Sequence, residues 1–201
     1  MRDVIDHYNK LIDENNDPAR DPEPLRAYMD KWDGQEFIES MQLDKDRSVL
    51  EIGIGTGRIA IKVAPRCKDL CGIDISEKTI ERAAENLSGN QNVRLICADF
   101  MSFEFNERFD VIYSSLTFMH IEDKRSAIQK VASLLNDRGI FVLSIDKNQA
   151  EFIDMGDSKI KIYPDAPSNI RALLTASGLK ITNEFETDHA YITVSQKSEL
   201  A

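Results

Sequence analysis

The stretch VLEIGIGTGRIA, residues 49–60, sets a run of apolar residues directly against three glycines at alternate positions, Gly53, Gly55 and Gly57. An acid, Glu51, stands two residues before the first of them. A hydrophobic strand running into a glycine turn is the usual opening of a nucleotide site, and two phosphate-binding versions have defined spacings. A Walker loop needs G-x-x-x-x-G-K-[ST]. Here the third glycine is followed by Arg58, with no lysine at the required place. A dinucleotide fingerprint needs G-x-G-x-x-G, which counted from Gly53 requires a glycine where Arg58 stands. The spacing is G-x-G-x-G, one residue shorter, so the following helix is expected to begin sooner, with no room for a pyrophosphate on its N-terminus.

Glycines without Cβ atoms let the backbone pass close to a ligand. A carboxylate at the strand end suits an amine better than a phosphate. The next strand-like run, DLCGID (69–74), ends in Asp74, 17 residues after Gly57. An acid there can take two ribose hydroxyls. A third, NVRLICA (92–98), is followed by Asp99 and Phe100, a pair able to read an adenine amino group and pack on its ring. The ligand these residues describe has a nucleoside head and an amino-acid tail.

Outward from this centre, FDVIYS (109–114) and GIFVLSID (139–146) are further strand-like runs. Helical stretches separate them at 76–87, opening with Ser76 as an N-cap, and at 122–136, with Ala127, Ile128, Val131, Leu134 and Leu135 on one side. Alternation of strands and helices means a parallel sheet covered on both faces. After a helix at 166–178, LKITNEFET and AYITVSQK follow with no helix between them, an antiparallel hairpin closing the sheet. SKIKIY (158–163) alternates and reads as a small extra strand or a loop over the site; no role follows from the sequence for residues 147–165. Before the sheet, Val4, Ile5, Tyr8, Leu11 and Ile12 have helical spacing, and Leu25, Tyr28, Met29 and Trp32 share one face of a second helix. Gly34 breaks that helix, and Phe37, Ile38 and Met41 make a third short apolar face. The acidic, proline-broken run between the first two reads as a solvated linker.

The 201 residues suit one domain with a small elaboration, and a hydrophobic content of 42% is enough for a core. A net charge of -10 disfavours nucleic-acid backbones as partners. The odd count of cysteines, Cys67, Cys71 and Cys97, argues against a disulfide framework, and no second Cys or His pair completes a metal site. All three read as buried apolar thiols. The N-terminus lacks the apolar core of a signal peptide and no run approaches a membrane span, so the expected location is the cytoplasm.

The glycine loop EIGIGTG (51–57), the acid in GIDIS (72–76), ADF (98–100), FDVIYSSLTFMHI (109–121) and LLNDRGIFVLSI (134–145) together resemble the class I S-adenosylmethionine-dependent methyltransferases. The resemblance runs from about residue 45 to the C-terminus. It implies an α/β fold: a doubly wound, mostly parallel seven-stranded sheet in the order 3-2-1-4-5-7-6 with strand 7 antiparallel, preceded by an N-terminal helical lid (1–44) on the methyltransferase domain (45–201). It implies S-adenosyl-L-methionine as cofactor. Glu51 and the loop Gly53, Ile54, Gly55, Thr56 and Gly57 would lie under the methionine moiety. Asp74 would hold the ribose, Ile75 would pack beside the adenine, Asp99 and Phe100 would bind it, and Ser114 would lie beside the cofactor.

Methyl transfer from a sulfonium is an in-line displacement that asks the protein chiefly for alignment and a dry site. Members acting on planar amines of DNA bases or glutamine amides carry [DNS]-P-P-[YFW] after the fourth strand. YSSLTF has no proline pair, which points to a small-molecule acceptor and to attack by an O, N or C atom. His120 stands in the loop that borders the acceptor in this family, as a base or as a packing or capping residue. Tyr8 reads as a lid contact to the reacting end or as core packing. His189 and His7 read as surface residues, Trp32 as packing, and Arg58 as a partner of the cofactor carboxylate or of an acid. The chain is expected to act as a monomer or homodimer. The competing reading is a partner or regulatory protein that binds the cofactor without transferring its methyl group.

Overall fold

The computed structural model describes residues 2–154 and 159–199. Seven strands form one sheet: β1 (Ser48–Ile52), β2 (Asp69–Asp74), β3 (Val93–Cys97), β4 (Phe109–Ser115), β5 (Leu135–Asp146), β8 (Leu179–Glu186) and β9 (Ala190–Lys197). Their order is β3-β2-β1-β4-β5-β9-β8. The first five are parallel, and β9 runs antiparallel to both of its neighbours. With the strands of the small second sheet, β6 (Phe152–Asp154) and β7 (Lys159–Lys161), counted apart, this is the expected order. That antiparallel pair answers the open reading of the alternating stretch 158–163: residues 159–161 are a strand. Ser158 lies outside the described residues.

Period-2 alternation sorts the strand side chains onto two apolar layers. Leu50, Ile52, Ile112, Phe141 and Leu143 face α6 (Lys124–Leu134) and α7 (Pro167–Ala176), which contribute Ile128, Val131, Ile170 and Leu174. Val49, Val111, Tyr113, Val142 and Val194 face α3 (Gly34–Glu39), α4 (Ala60–Val63) and α5 (Glu77–Asn86), which contribute Phe37, Val63 and Ala83. Burial of each such side chain stabilises the fold by about 1.5–3 kcal/mol. Of the N-terminal helices, α1 (Arg2–Asp13) has no buried residue, whereas α3 belongs to the core.

Local chemistry sets the helix ends. Ser76 caps α5 by accepting from the Thr79 N–H, and Asp123 caps α6 by accepting from the Ser126 N–H. The helix after the glycine turn does not begin early: α4 starts at Ala60, three residues past Gly57, and gives way to a short tight turn at Ala64–Arg66. Pro65 lacks the N–H needed to continue it. In α2 (Glu23–Met29), Leu25 and Tyr28 remain 51% and 49% exposed, so its expected apolar face is only partly covered. Cys67 and Cys71 are buried, but Cys97 is exposed, because β3 is an edge strand with few neighbours on that side. Among the described residues no helix is long and apolar enough to cross a membrane.

Candidate functional site

The C-terminal ends of β1 to β4 open on a cavity of about 670 Å³. This is where an open parallel sheet places its ligands. The turn after β1 supplies Gly53, Ile54, Gly55 and Thr56; the turn after β2 supplies Ile75 and Ser76; Asp99 and Phe100 follow β3. The wall after β4 is made by Leu116, Thr117, Met119 and His120, and the roof by Val4, Tyr8 and Leu11 of α1 with Ile160, Lys161 and Tyr163 of the β6–β7 flap. The apolar face of α1 therefore covers the cavity instead of entering the core.

Backbone conformation explains the glycines. Gly53 has φ +76°, Gly55 +55° and Gly57 +88°, a region L side chains rarely adopt. A Cβ on Gly53 would lie 1.9 Å from Thr117 Oγ1, so the loop and the segment after β4 touch there. A Cβ on Gly55 would meet nothing within 4 Å: that glycine faces open space. Gly57 does not line the cavity; its Cβ would meet Leu87 at 3.0 Å, and its role is helix packing.

Asp74 closes the floor. Its Oδ2 accepts from the Gly55 N–H at 3.0 Å and its Oδ1 from the Ser76 N–H at 3.0 Å. Burial pushes its carboxyl up from the usual range, while these donors oppose that. Each oxygen retains capacity for a further donor. Glu51 is only 3% exposed and accepts from the Tyr113 hydroxyl at 2.7 Å. Burial raises its pKa to about 8; the Tyr113 bond and the Arg58 charge act the other way. Arg58 is itself held by a two-pronged pair with Asp33 and a contact to Asp30, so of its two expected partners the structure places the acids beside it.

Tyr8 and His120 meet across the cavity. The Tyr8 hydroxyl lies 2.8 Å from His120 Nε2, with the rings edge to face. Burial, with the charges of His7 and Lys124, lowers the His120 pKa to about 4, and burial raises that of Tyr8. Both are neutral at physiological pH. His120 Nδ1 is buried without a hydrogen-bond partner. His7 is half-buried against the Tyr8 ring, not fully solvated. His189 packs on Trp32, whose Nε1–H donates to Asp146, so this indole is packing.

A family model described as a methyltransferase domain matches residues 49–139. An uncharacterized methyltransferase of Geobacillus kaustophilus is 36% identical over 187 residues, spanning 84% of this chain and 85% of that protein. The chain belongs to the class I S-adenosylmethionine-dependent methyltransferase family. Solved structures that share its fold include two with bound S-adenosylhomocysteine. Magnesium protoporphyrin IX methyltransferase from Synechocystis, with bound S-adenosylhomocysteine, has a TM-score of 0.76 at 20% identity over 97% of this chain and 98% of that one. The N-methyltransferase NodS from Bradyrhizobium japonicum, also with S-adenosylhomocysteine, has 0.70 at 19% over 96% and 99%.

Within this methyltransferase most residues singled out from the sequence converge on the cavity: Tyr8, Glu51, Gly53, Ile54, Gly55, Thr56, Asp74, Ile75, Asp99, Phe100 and His120. Ser114 does not. It is fully buried and donates to the Ile52 carbonyl at 2.9 Å, on the α6 side of the sheet. Its neighbour Ser115, on the opposite pleat, lines the cavity and donates to Asp33. Counting the alternation from the buried Val111 and Tyr113 would have found it. Phe100 lines the cavity but is largely core, with Lys130 Nζ 5.4 Å from its ring centre. Asn16 and Pro18, in the run read as a solvated linker, line the cavity too, as do Met29 and the flap residues. Only the alternation of 158–163 hinted at the flap.

Proposed function

We propose that this cavity holds S-adenosylmethionine and a small-molecule acceptor together, with the acceptor's reacting atom on the Tyr8–His120 side. The observation that carries the reading is the convergence on one space of Glu51, the open face at Gly55 and the Asp74 carboxylate. These residues fit the cofactor: Asp74 has spare acceptor capacity for ribose hydroxyls, Glu51 is a buried carboxyl group that among the described residues accepts from Tyr113 and from no cation, and Gly55 leaves space a side chain would fill. Asp99 keeps one oxygen for its own turn, accepting from the Met101 N–H at 3.0 Å, and leaves the other for an exocyclic amine.

S-adenosylmethionine, when bound, supplies a methyl group already activated by a positive sulfur. What remains for the chain is to align the acceptor and exclude water. The roof of α1 and the flap does the second. For the first, the Tyr8 hydroxyl and His120 Nε2, hydrogen-bonded to each other at 2.8 Å, stand together on the cavity lining. With a pKa near 4, His120 is a weak base and a good neutral hydrogen-bonding partner, so its role is to orient the nucleophile. NodS is named for N-methylation and the Synechocystis enzyme for a magnesium porphyrin, so relatives with this fold serve different acceptors.

Thermal shift with S-adenosylmethionine and S-adenosylhomocysteine tests the cofactor. A rise in melting temperature with both supports the reading; no shift at millimolar ligand contradicts it. An acceptor screen read by homocysteine release then tests transfer, and an absence of turnover across acids, phenols and amines would favour the binding-only alternative.

A further inference from the structure

The run that reads as a solvated linker contains a buried carboxylate. Asp17 is 4% exposed and lies between two cavity-lining residues, Asn16 and Pro18. The chain reaches this place by leaving α1 through Asn15, whose left-handed φ of +61° ends the helix. Asp17 then accepts from the Arg82 guanidinium at 3.2 Å, the Ala19 N–H at 3.1 Å, and the Asn86 side-chain amide at 3.1 and 3.2 Å. The same Asn86 nitrogen donates to the Thr56 carbonyl at 2.9 Å. One amide group thus joins the base of the lid to Thr56, between the last two glycines of the turn. In the second half of α1, Asn9 accepts from the Ser76 hydroxyl at 2.8 Å, and the last residue, Asp13, meets Lys78 at 2.5 Å.

We infer that Asp17 is a positioning residue: through Asn86 it fixes the Thr56 carbonyl, and so the glycine turn, in the geometry that receives the cofactor, and couples that geometry to docking of α1. The Asn86 amide has two hydrogens, and both are used, one on each side of the bridge. Removing either partner frees a peptide unit flanked by Gly55 and Gly57, which have little conformational preference of their own. Coupling is reciprocal, so a ligand that orders the turn must also favour the docked lid. The inference rests on the cofactor reading above.

The test uses the full chain, S-adenosylhomocysteine titrations, and protease cleavage within residues 2–20 with and without that ligand. Asp17→Asn and Asn86→Leu should each weaken S-adenosylhomocysteine about 5- to 30-fold. The double variant should be no weaker than the worse single one, because both cut one bridge. Ligand should slow cleavage of α1 in the wild type and lose that effect in both variants. Affinities within twofold of wild type, additive losses, or ligand protection of α1 that survives the substitutions would overturn the inference and leave Asp17 a purely structural residue. Should Asp17→Asn not fold, Asn86→Leu decides by the same criteria. A wild type that does not bind S-adenosylhomocysteine at all would instead remove the cofactor reading.

Discussion

Replacing Glu51 by glutamine tests how the floor of the cavity is built. The carboxyl is 3% exposed, its hydrogen-bond donor is the Tyr113 hydroxyl at 2.7 Å, and Arg58 is committed to Asp33 and Asp30. Burial therefore wins, and the pKa rises from 4.5 to about 8. The folded protein then holds a proton over this interval that the unfolded chain releases. Stability contributed by Glu51 is fully present below pH 4.5 and is lost as pH rises toward 8. The slope is at most about 1.4 kcal/mol per pH unit, and the loss between pH 5 and 8 is on the order of 4 kcal/mol. His120 slopes the opposite way below its ordinary value, since the unfolded chain holds its proton at higher pH than the folded one. The informative quantity is therefore the difference between wild type and Glu51→Gln, from urea unfolding at several pH values between 5 and 8. The variant should gain on the wild type steadily as pH rises. Parallel curves would mean that Glu51 is ionised in its ordinary range and that the electrostatic account of the floor is wrong. With the cofactor bound, an ammonium group beside Glu51 should favour its charged form. Ligand affinity of the wild type should then strengthen up to about tenfold per pH unit as pH approaches 8 from below, a trend the glutamine variant lacks.

Asp74→Ala should weaken S-adenosylhomocysteine by about 1–3 kcal/mol in calorimetry, the worth of charge-assisted hydrogen bonds; unchanged affinity would place the ribose elsewhere. Gly53→Ala should lower the urea midpoint by an amount equivalent to about 2 kcal/mol or more, because it adds a left-handed penalty to a 1.9 Å collision with Thr117. Tyr8→Phe should leave S-adenosylhomocysteine affinity within about twofold and lower turnover at least about tenfold once an acceptor is found, since it deletes the partner of His120 Nε2; equal losses in both would make Tyr8 a cofactor contact. Lys124→Met should cost about 3 kcal/mol and speed protease cleavage in the flap, because the buried ammonium joins the Phe118 and Tyr163 carbonyls and the Asp165 carboxylate.

The sheet was legible because its determinants are local. Short apolar runs such as 49–52 and 139–146, bounded by glycine and separated by helical stretches, specify strands buried on both faces, their order follows from the family resemblance, and the acids at the strand ends mark one edge. The loop was legible because three left-handed positions leave little choice but glycine. What stayed hidden depends on which side chains meet across the chain. Ser114 and Ser115 are chemically alike, and only the pleat distinguishes the fully buried one from the lining one. Asp17 sits in a polar, proline-broken run that looks solvated until Arg82 and Asn86, 65 or more residues away, enclose it. The Tyr8–His120 contact spans 112 residues, so each side chain was visible singly and the pair was not. The stretch 147–165 carries too few apolar residues to declare a roof, and Ile160, Lys161 and Tyr163 become one through the hydrogen bonds of Tyr163 with Lys124 and with Met119 in the wall after β4.

The space between the glycine turn, Asp74 and the lid is the site we propose for S-adenosylmethionine. Equilibrium dialysis with radiolabelled S-adenosylmethionine on the wild type and on Gly55→Val tests it most directly, since Gly55 faces open cavity and a valine there would fill it. One saturable site per chain is expected in the wild type, and loss of that site in a folded Gly55→Val protein. No saturable binding by the wild type, or binding unaltered by the valine, would contradict it.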